Sequence, residues 1–327
     1  MAHLIPRRTA LAALAGAFPL TSVPALANTW PQRPVRLMVG APPGGPSDFL
    51  ARLYADAVGT QLGGGFVVDN KPGASGTLAA DTAAKATPDG HTLLVTGPAS
   101  ITSAPYLFKV NYDPTADFVP VSMLGAGAFA MVAHPSVPSR NVAELIALAK
   151  AKPGGLAYGS GGSGASGHLC TESFCQATGT RMVHVPYKGD SPAMNDLLAG
   201  QTQLMFTAPN VAMPHVKSGK LRLLGVTTRE RVASLPDVPA VAETVKDFEY
   251  LGWIIVFAPA ATPRAVTDQL VAAWGKSRSL PNVRGRLEEL AMVAPERLVS
   301  GEPLAQFVKA EAARLARLIK DANIKVD

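Results

Sequence analysis

Apolar and polar positions divide most of the chain into alternating strands and helices. Short apolar runs over 35–40, 66–69 and 92–96 read as strands. Between the first two, Leu50, Leu53, Tyr54, Ala57 and Val58 recur at helical spacing, which predicts a helix over 49–61 with Ser47 or Asp48 as its N-cap. A second helix is expected to end near Ala86, before the turn Pro88-Asp89-Gly90. The order then repeats. A strand over 156–160 enters a Gly/Ser run, a helix follows over 169–177, and a strand over 182–187 reaches Lys188-Gly189-Asp190. A helix over 192–199 and a strand over 204–207 complete it. Both halves read strand, Gly-rich corner, helix, strand, Lys/Gly corner, helix, strand, although their sequence identity is low. Such alternation predicts an α/β fold with two lobes, each a mostly parallel sheet flanked by helices.

The halves are joined by two expected strands, 118–124 and 129–133, with a break at Gly125-Ala126-Gly127. A helix is predicted over 141–152 from the stripe Val142, Leu145, Ile146 and Ala149. Further on come a strand over 221–227, a turn-rich link over 235–239, and a strand over 253–258 that crosses back to the first lobe. The tail carries the stripe Leu304, Phe307, Val308, Ala312, Leu315, Leu318 and Ile319, with Glu311 inside it. That helix is expected to pack on the first lobe and to expose Lys309, Arg314, Arg317 and Lys320. The resulting division is 28–124 plus 250–327 for the first lobe and 125–249 for the second.

The corners carry the chemistry. Glycines let successive N–H groups turn toward one point, and a helix start adds unpaired donors with a partial positive charge. The run from Leu156 to His168 is such a corner, and so is Pro42 to Asp48. Both suit an anion. Two lobes whose strands end at facing corners would close on one small anion from both sides.

Composition narrows the setting. Arg7-Arg8, an apolar run over 11–20 and Ala25-Leu26-Ala27 make residues 1–27 a secretory signal, twin-arginine in style, with cleavage after Ala27. The mature chain is therefore expected outside the cytoplasm. Formal charge is +6, and loss of Arg7 and Arg8 with the signal lowers it to +4. Spread without a dense basic block, that excess suits a small anion and argues against nucleic acid. Cys170 and Cys175 would lie about 140° apart on a helix, too far around to bridge within it. The histidines are scattered singly, so no metal is expected. Gly159-x-Gly161-x-x-Gly164 fits a dinucleotide fingerprint, but the next strand ends in Tyr187-Lys188 instead of a ribose-binding carboxylate. No P-loop is present. Gly161-Gly162-Ser163-Gly164-Ala165 approaches a hydrolase elbow without its last glycine, leaving as a minor alternative an exported serine hydrolase centred on Ser163 with His184 or His215 as base.

Seven ordered motifs resemble one family: Pro42-Pro43-Gly44-Gly45-x-x-Asp48, Asn70-Lys71-Pro72-Gly73-Ala74-x-Gly76, Pro88-Asp89-Gly90, Tyr158-Gly159-Ser160, His184-Val185-Pro186-Tyr187-Lys188-Gly189, Leu235-Pro236-Asp237-Val238-Pro239 and Ala258-Pro259-x-x-Thr262-Pro263. The chain from about Trp30 onward resembles the solute-binding (Bug) receptors of the tripartite tricarboxylate transporters. The resemblance implies a periplasmic, two-lobed Venus-flytrap protein without catalysis or cofactor. It implies as ligand a small carboxylate (a di- or tricarboxylate, an acidic amino acid or an aromatic acid), and as partners the membrane permease subunits. A monomer is expected. A sensor feeding a membrane kinase is the alternative within the receptor class. The implied ligand-binding residues are Pro43, Gly44, Gly45, Ser47 and Asp48, then Gly73, Ala74, Ser75 and Gly76, and Ser100. From the second lobe come Ser160, Ser163, Gly164, Ala165, Ser166 and His168, with Thr207 and Asn210. Ser47 stands where the family usually has Thr, Ser75 replaces a common Gly, and the two cysteines are departures. Ala128-Phe129 and Ile254-Ile255 are pocket or hinge neighbours.

Overall fold

A computed structural model describes residues 30–325 except 294, 296 and 297. The signal segment lies outside the described residues.

In the first sheet, β1 (Val35–Val39) lies between β2 (Phe66–Asn70) and β3 (Thr92–Thr96), both parallel to it. Leu37 pairs with Val68 on one side and Leu93 on the other. Beyond β3 come β10 (Leu251–Pro259), β4 (Phe118–Ala128) and the short β11 (Met292–Val293), in the order β11-β4-β10-β3-β1-β2. The second sheet contains β5 (Ala130–Ala133), β6 (Ala157–Ser160), β7 (Val183–Pro186), β8 (Leu204–Thr207) and β9 (Arg222–Val226), in the order β7-β6-β8-β5-β9.

The sheets are mixed, which corrects the expectation of mostly parallel ones. β10 runs antiparallel to β3 and β4, and β5 runs antiparallel to β8 and β9. The reason is connectivity. β4 leaves the first lobe and the chain enters the second as β5 one residue later, while β10 makes the return crossing. A strand that arrives from the other lobe starts where its neighbours end, so it must oppose them. Without these two crossing strands, and setting β11 aside, the lobes share one order, β2-β1-β3-β4 and β7-β6-β8-β9.

Helices cover both faces of each sheet. On the first, α1 (Pro46–Leu62), α8 (Arg264–Arg278) and α9 (Pro281–Glu289) enclose Val35, Leu37, Tyr54 and Trp274. The opposite face packs Met38, Leu94, Trp253 and Phe257 under α2 (Thr77–Ala84) and the start of α10 (Gly301–Asp321). A single turn, α3 (Ala104–Leu107), follows the third corner. In the second lobe α4 (Val142–Ala151) and α5 (Ser166–Thr178) cover one face, α6 (Asp190–Leu198) and α7 (Pro209–Lys217) the other.

Two local expectations fail, and one helix, α7, was not expected, each for an identifiable reason. β4 continues through Gly125-Ala126-Gly127 without a break. A Cβ at Gly125 would come within 3.0 Å of Leu287 and 3.3 Å of Leu50, so this glycine marks tight packing inside a strand, not its end. α7 had no clear apolar period because Pro209 and Pro214 interrupt it. Pro209 costs nothing in the first helical turn, and Pro214 removes one bond from a nine-residue helix. Finally, α10 does not belong to the first lobe alone. Leu304 and Val308 pack there, but Leu315, Leu318 and Ile319 join the second lobe's core with Phe174 and Tyr250. At about 1.5 Å per residue its length is enough to span both. Arg314, expected outside, turns inward: its guanidinium lies 5.1 Å from the Tyr250 ring centre and binds Glu311 through Nε and Nη2 at 2.9 and 2.8 Å. Cys170 and Cys175 are both free and buried.

Candidate functional site

Three loops of the first lobe converge at the carboxyl ends of β1, β2 and β3. The first and second touch backbone to backbone, since a Cβ on Gly40 would meet the Gly76 Cα at 3.0 Å. Asn70 Nδ2 ties them further by donating to Ala41 O at 3.1 Å. The second corner is a run of left-handed residues with φ of 125° at Gly73, 45° at Ala74, 57° at Ser75 and 85° at Gly76. Two of these carry a Cβ, a strained arrangement of the kind found at ligand clamps. In the third corner Thr96 Oγ1 and Ser100 Oγ lie 2.6 Å apart.

Asp48 closes the first corner from behind. Its carboxylate accepts the Gly44 N–H at 2.9 Å and is held by Arg52, with Nη2 2.9 Å from Oδ1. Burial pushes its pKa up, but hydrogen bonds from Arg52, Gly44 and Asn70 and the arginine's charge outweigh that and leave it lowered.

The second lobe props its corner differently. Ser160 Oγ lies 2.6 Å from His184 Nε2, and the Gly164 N–H donates to His168 Nδ1 at 3.0 Å. The two imidazoles stack at 3.7 Å and 10°, and His184 also stacks on Tyr158 at 4.9 Å. Burial pushes His168 down to about 3, with His184's charge adding to the effect, and burial alone pushes His184 down to about 4. His168, implied by the resemblance as a ligand contact, instead ties the glycine loop from behind by accepting an amide. Its ring nitrogen can accept only in the neutral form, which the lowered pKa maintains.

Between the lobes lies a cavity of about 490 Å³, within the size range of small-ligand sites. Ser47, Gly73, Ser75 and Gly76 line it from one side, Ala165, Ser166 and Asn210 from the other. The crossing strands give it an apolar floor of Ala128, Phe129, Trp253 and Ile254. Helices α1, α2, α5, α6 and α7 begin around it without a side-chain cap. Uncapped starts occur elsewhere too, at α8 for example; here they converge. A larger concavity of about 690 Å³ lies between α1 and α8 on the outer face of the first lobe. It gathers no glycine corner, so its size alone does not make it the site.

The remaining expected site residues stand behind or beside the cavity wall. Pro43 and Gly44 face solvent; Gly45 and Ser163 are half-buried and Ala74 is exposed. Asp48, Ser100, Ser160, Gly164 and His168 are buried in the supports just described, and Thr207 Oγ1 is buried with no partner. His184 is committed to Ser160, which is fully buried, so Ser163 gains no base from it. Of the hinge neighbours, Ile255 instead packs in the core beneath α2. Sequence reading missed the third-corner residues 96–99, and it missed Asp190 as a lining residue. The repeat held the signal: Asp190, after Gly189, opens the helix that follows β7 as Thr77, after Gly76, opens the helix that follows β2.

The comparisons agree with this fold. The sequence profile described as "Tripartite tricarboxylate transporter family receptor" matches residues 50–324. A UPF0065 protein of Cupriavidus necator, described by its position in the gbd 5' region, is 35% identical over 97% of this chain and 97% of its own. Among solved structures, R. palustris Rpa4515 with adipate is similar at TM-score 0.78 and 33% identity, over 91% of this chain and 100% of that one. MatC (Rpa3494) from Rhodopseudomonas palustris with bound malate is similar at TM-score 0.75 and 30% identity, over 88% of this chain and 99% of that one. On the match of the profile and the near-full-length likeness of these relatives, the chain belongs to the tripartite tricarboxylate transporter receptor family, one of solute-binding receptors and not of enzymes.

Proposed function

We propose that this chain captures a small carboxylate in the periplasm, between its two lobes, and delivers it unaltered to the membrane subunits of a tripartite permease. One observation carries the reading: the interlobe cavity is walled by backbone corners and uncapped helix starts of both lobes, with no basic side chain in its lining among the described residues. A carboxylate there would be held by main-chain N–H groups and hydroxyls, at Ser47, Gly73, Ser75 and Gly76 on one side and Ala165, Ser166 and Asn210 on the other. Adipate and malate in the two relatives are ligands of that class.

Hydrogen bonds to a charged group contribute roughly 1.5–3 kcal/mol each, so about four or five supply roughly 6–15 kcal/mol before ordering costs. A micromolar complex needs about 8 kcal/mol. The upper part of that range exceeds the requirement, so the reading calls for no arginine. Closure would bend the crossing strands where β4 passes into β5 and where β10 begins. Calorimetric titration of the chain lacking residues 1–27 with a carboxylate panel is the test. Micromolar or tighter binding of at least one acid is expected, and a protein that bound only neutral or cationic solutes would refute the reading. Export is checked by the mass of the secreted chain, expected to begin at Asn28, and the monomer by its sedimentation.

A further inference from the structure

Asp190 is the one ionisable side chain in the cavity lining among the described residues. It begins α6, and its carboxylate lies against the Gly161 backbone of the neighbouring corner, where the Gly161 amide favours the charged form. A Cβ on Gly161 would come within 2.5 Å of Oδ1, so glycine at 161 is what lets the acid sit there. The carboxylate thus spans the first and second corners of the second lobe, an arrangement the first lobe does not share. There the acid is Asp48, which lies outside the lining and is neutralised by Arg52. Among the described residues no cation acts on Asp190: burial among the cleft walls raises its pKa and the Gly161 amide opposes that. The side chain is open to cleft water, so bound ligand and lobe closure would strip that water away.

We propose that Asp190 turns the second-lobe wall into a hydrogen-bond acceptor, so that this receptor selects carboxylates carrying a hydroxyl, ammonium or amide donor at the end facing it. This deepens the carboxylate-receptor reading and rests on it. The ligand's carboxylate goes to the first lobe, where the corners offer donors and no lining acid. Its other end meets Asp190. A second ionised carboxylate there would face a like charge across a closing, water-poor gap, which disfavours dicarboxylate dianions. An acid ending in a donor would complete the free lone pairs of Asp190.

The test is calorimetry at pH 8 on the chain lacking residues 1–27, with length-matched sets. One set is adipate, 6-hydroxyhexanoate, 6-aminohexanoate and adipamate; the other is succinate, 4-hydroxybutanoate, 4-aminobutanoate and succinamate. In the unsubstituted protein the best donor-ended acid of a set is expected to bind at least tenfold more tightly than its dicarboxylate. In Asp190→Asn, which keeps the shape and adds a donor, that ratio is expected to fall at least tenfold. Asp190→Ser carries the same comparison should the Asn variant not fold, as judged by circular dichroism. A dicarboxylate that binds as well as its donor-ended partners, or a ratio that the variants leave unchanged, overturns the role of Asp190 while leaving the receptor reading intact. Failure of every acid in both sets to bind any of the three proteins overturns both.

Discussion

The two lobes follow the same strand order yet support their cleft corners by opposite means. The first uses charge: Asp48 gathers the Gly44 amide and Arg52, and Gly40 and Gly76 lie backbone to backbone. The second uses neutral rings: His168 and His184 stack behind the glycine loop, and His184 reaches Ser160. A shared topology therefore fixes where a corner must be but leaves open how its amides are held. The choice has a consequence in acid. An ion pair holds until its carboxylate is protonated, below the ordinary carboxylate range, whereas a buried imidazole pair fails as soon as protons compete for it.

The largest effect that would break the comparison comes from Gly76→Val. Its φ of 85° is hostile to a β-branched residue, and a Cβ would meet Gly40 O at 3.2 Å. The two first-lobe corners would be forced apart, with carboxylate binding expected to fall more than about 100-fold and stability by about 3 kcal/mol. Calorimetry and urea melts check both.

Next is the response to pH. Unfolded, His168 and His184 take up protons near pH 6.5, while folded they remain neutral to about 3 and 4. The unfolded state thus binds more protons, so stability is complete above pH 6.5 and falls as pH drops below it. Glu172, whose carboxyl is raised by burial, offsets part of this near its own titration. Each imidazole should cost roughly 2 kcal/mol by pH 5, less the Glu172 offset. Asp48 acts in the other window: its lowered pKa contributes above pH 3.8 and is lost only as pH falls through its folded value. Trp253 and Trp274 lie in the two cores of the first lobe, and Trp30 packs against the one that holds Trp274. Tryptophan fluorescence should therefore change at lower pH than circular dichroism or amide exchange in α5. Coincident transitions would remove the distinction between the lobes.

A smaller effect is expected from Asp48→Asn. It keeps the Gly44 contact but loses the charge that holds Arg52, itself half exposed, so about 1 kcal/mol is expected to go. The smallest is Ser75→Gly. It relieves a left-handed residue at φ 57° and should stabilise the fold by no more than about 1 kcal/mol, while removing one hydroxyl from the cleft. A thermal melt and a binding titration together separate the two consequences.

The sequence carried a good deal of this arrangement. The alternating elements, the repeat of strand, corner and helix, and the placing of Ser47, Ser75, Gly76, Ala165 and Ser166 at corners were legible, because period and glycine content are local properties. Much of the site was not. Asp48, Ser160 and His168 stand in the same corners as the lining residues, and only the packing behind each loop tells support from wall. Asp190 reads as an ordinary helix-start acid until Gly161, 29 positions earlier, is seen to leave room for it. The glycines at 125 and 127 signal a break by composition and close packing by structure.

By itself the chain determined its secondary structure and the chemistry of its corners, since these depend on residues within a few positions of one another. Tertiary structure decided the reversed strands β5 and β10, the reach of α10 across both lobes and the polarity of the cleft. Each of these depends on which distant segments meet, and hydrophobic periodicity specifies that a face is buried without naming what buries it.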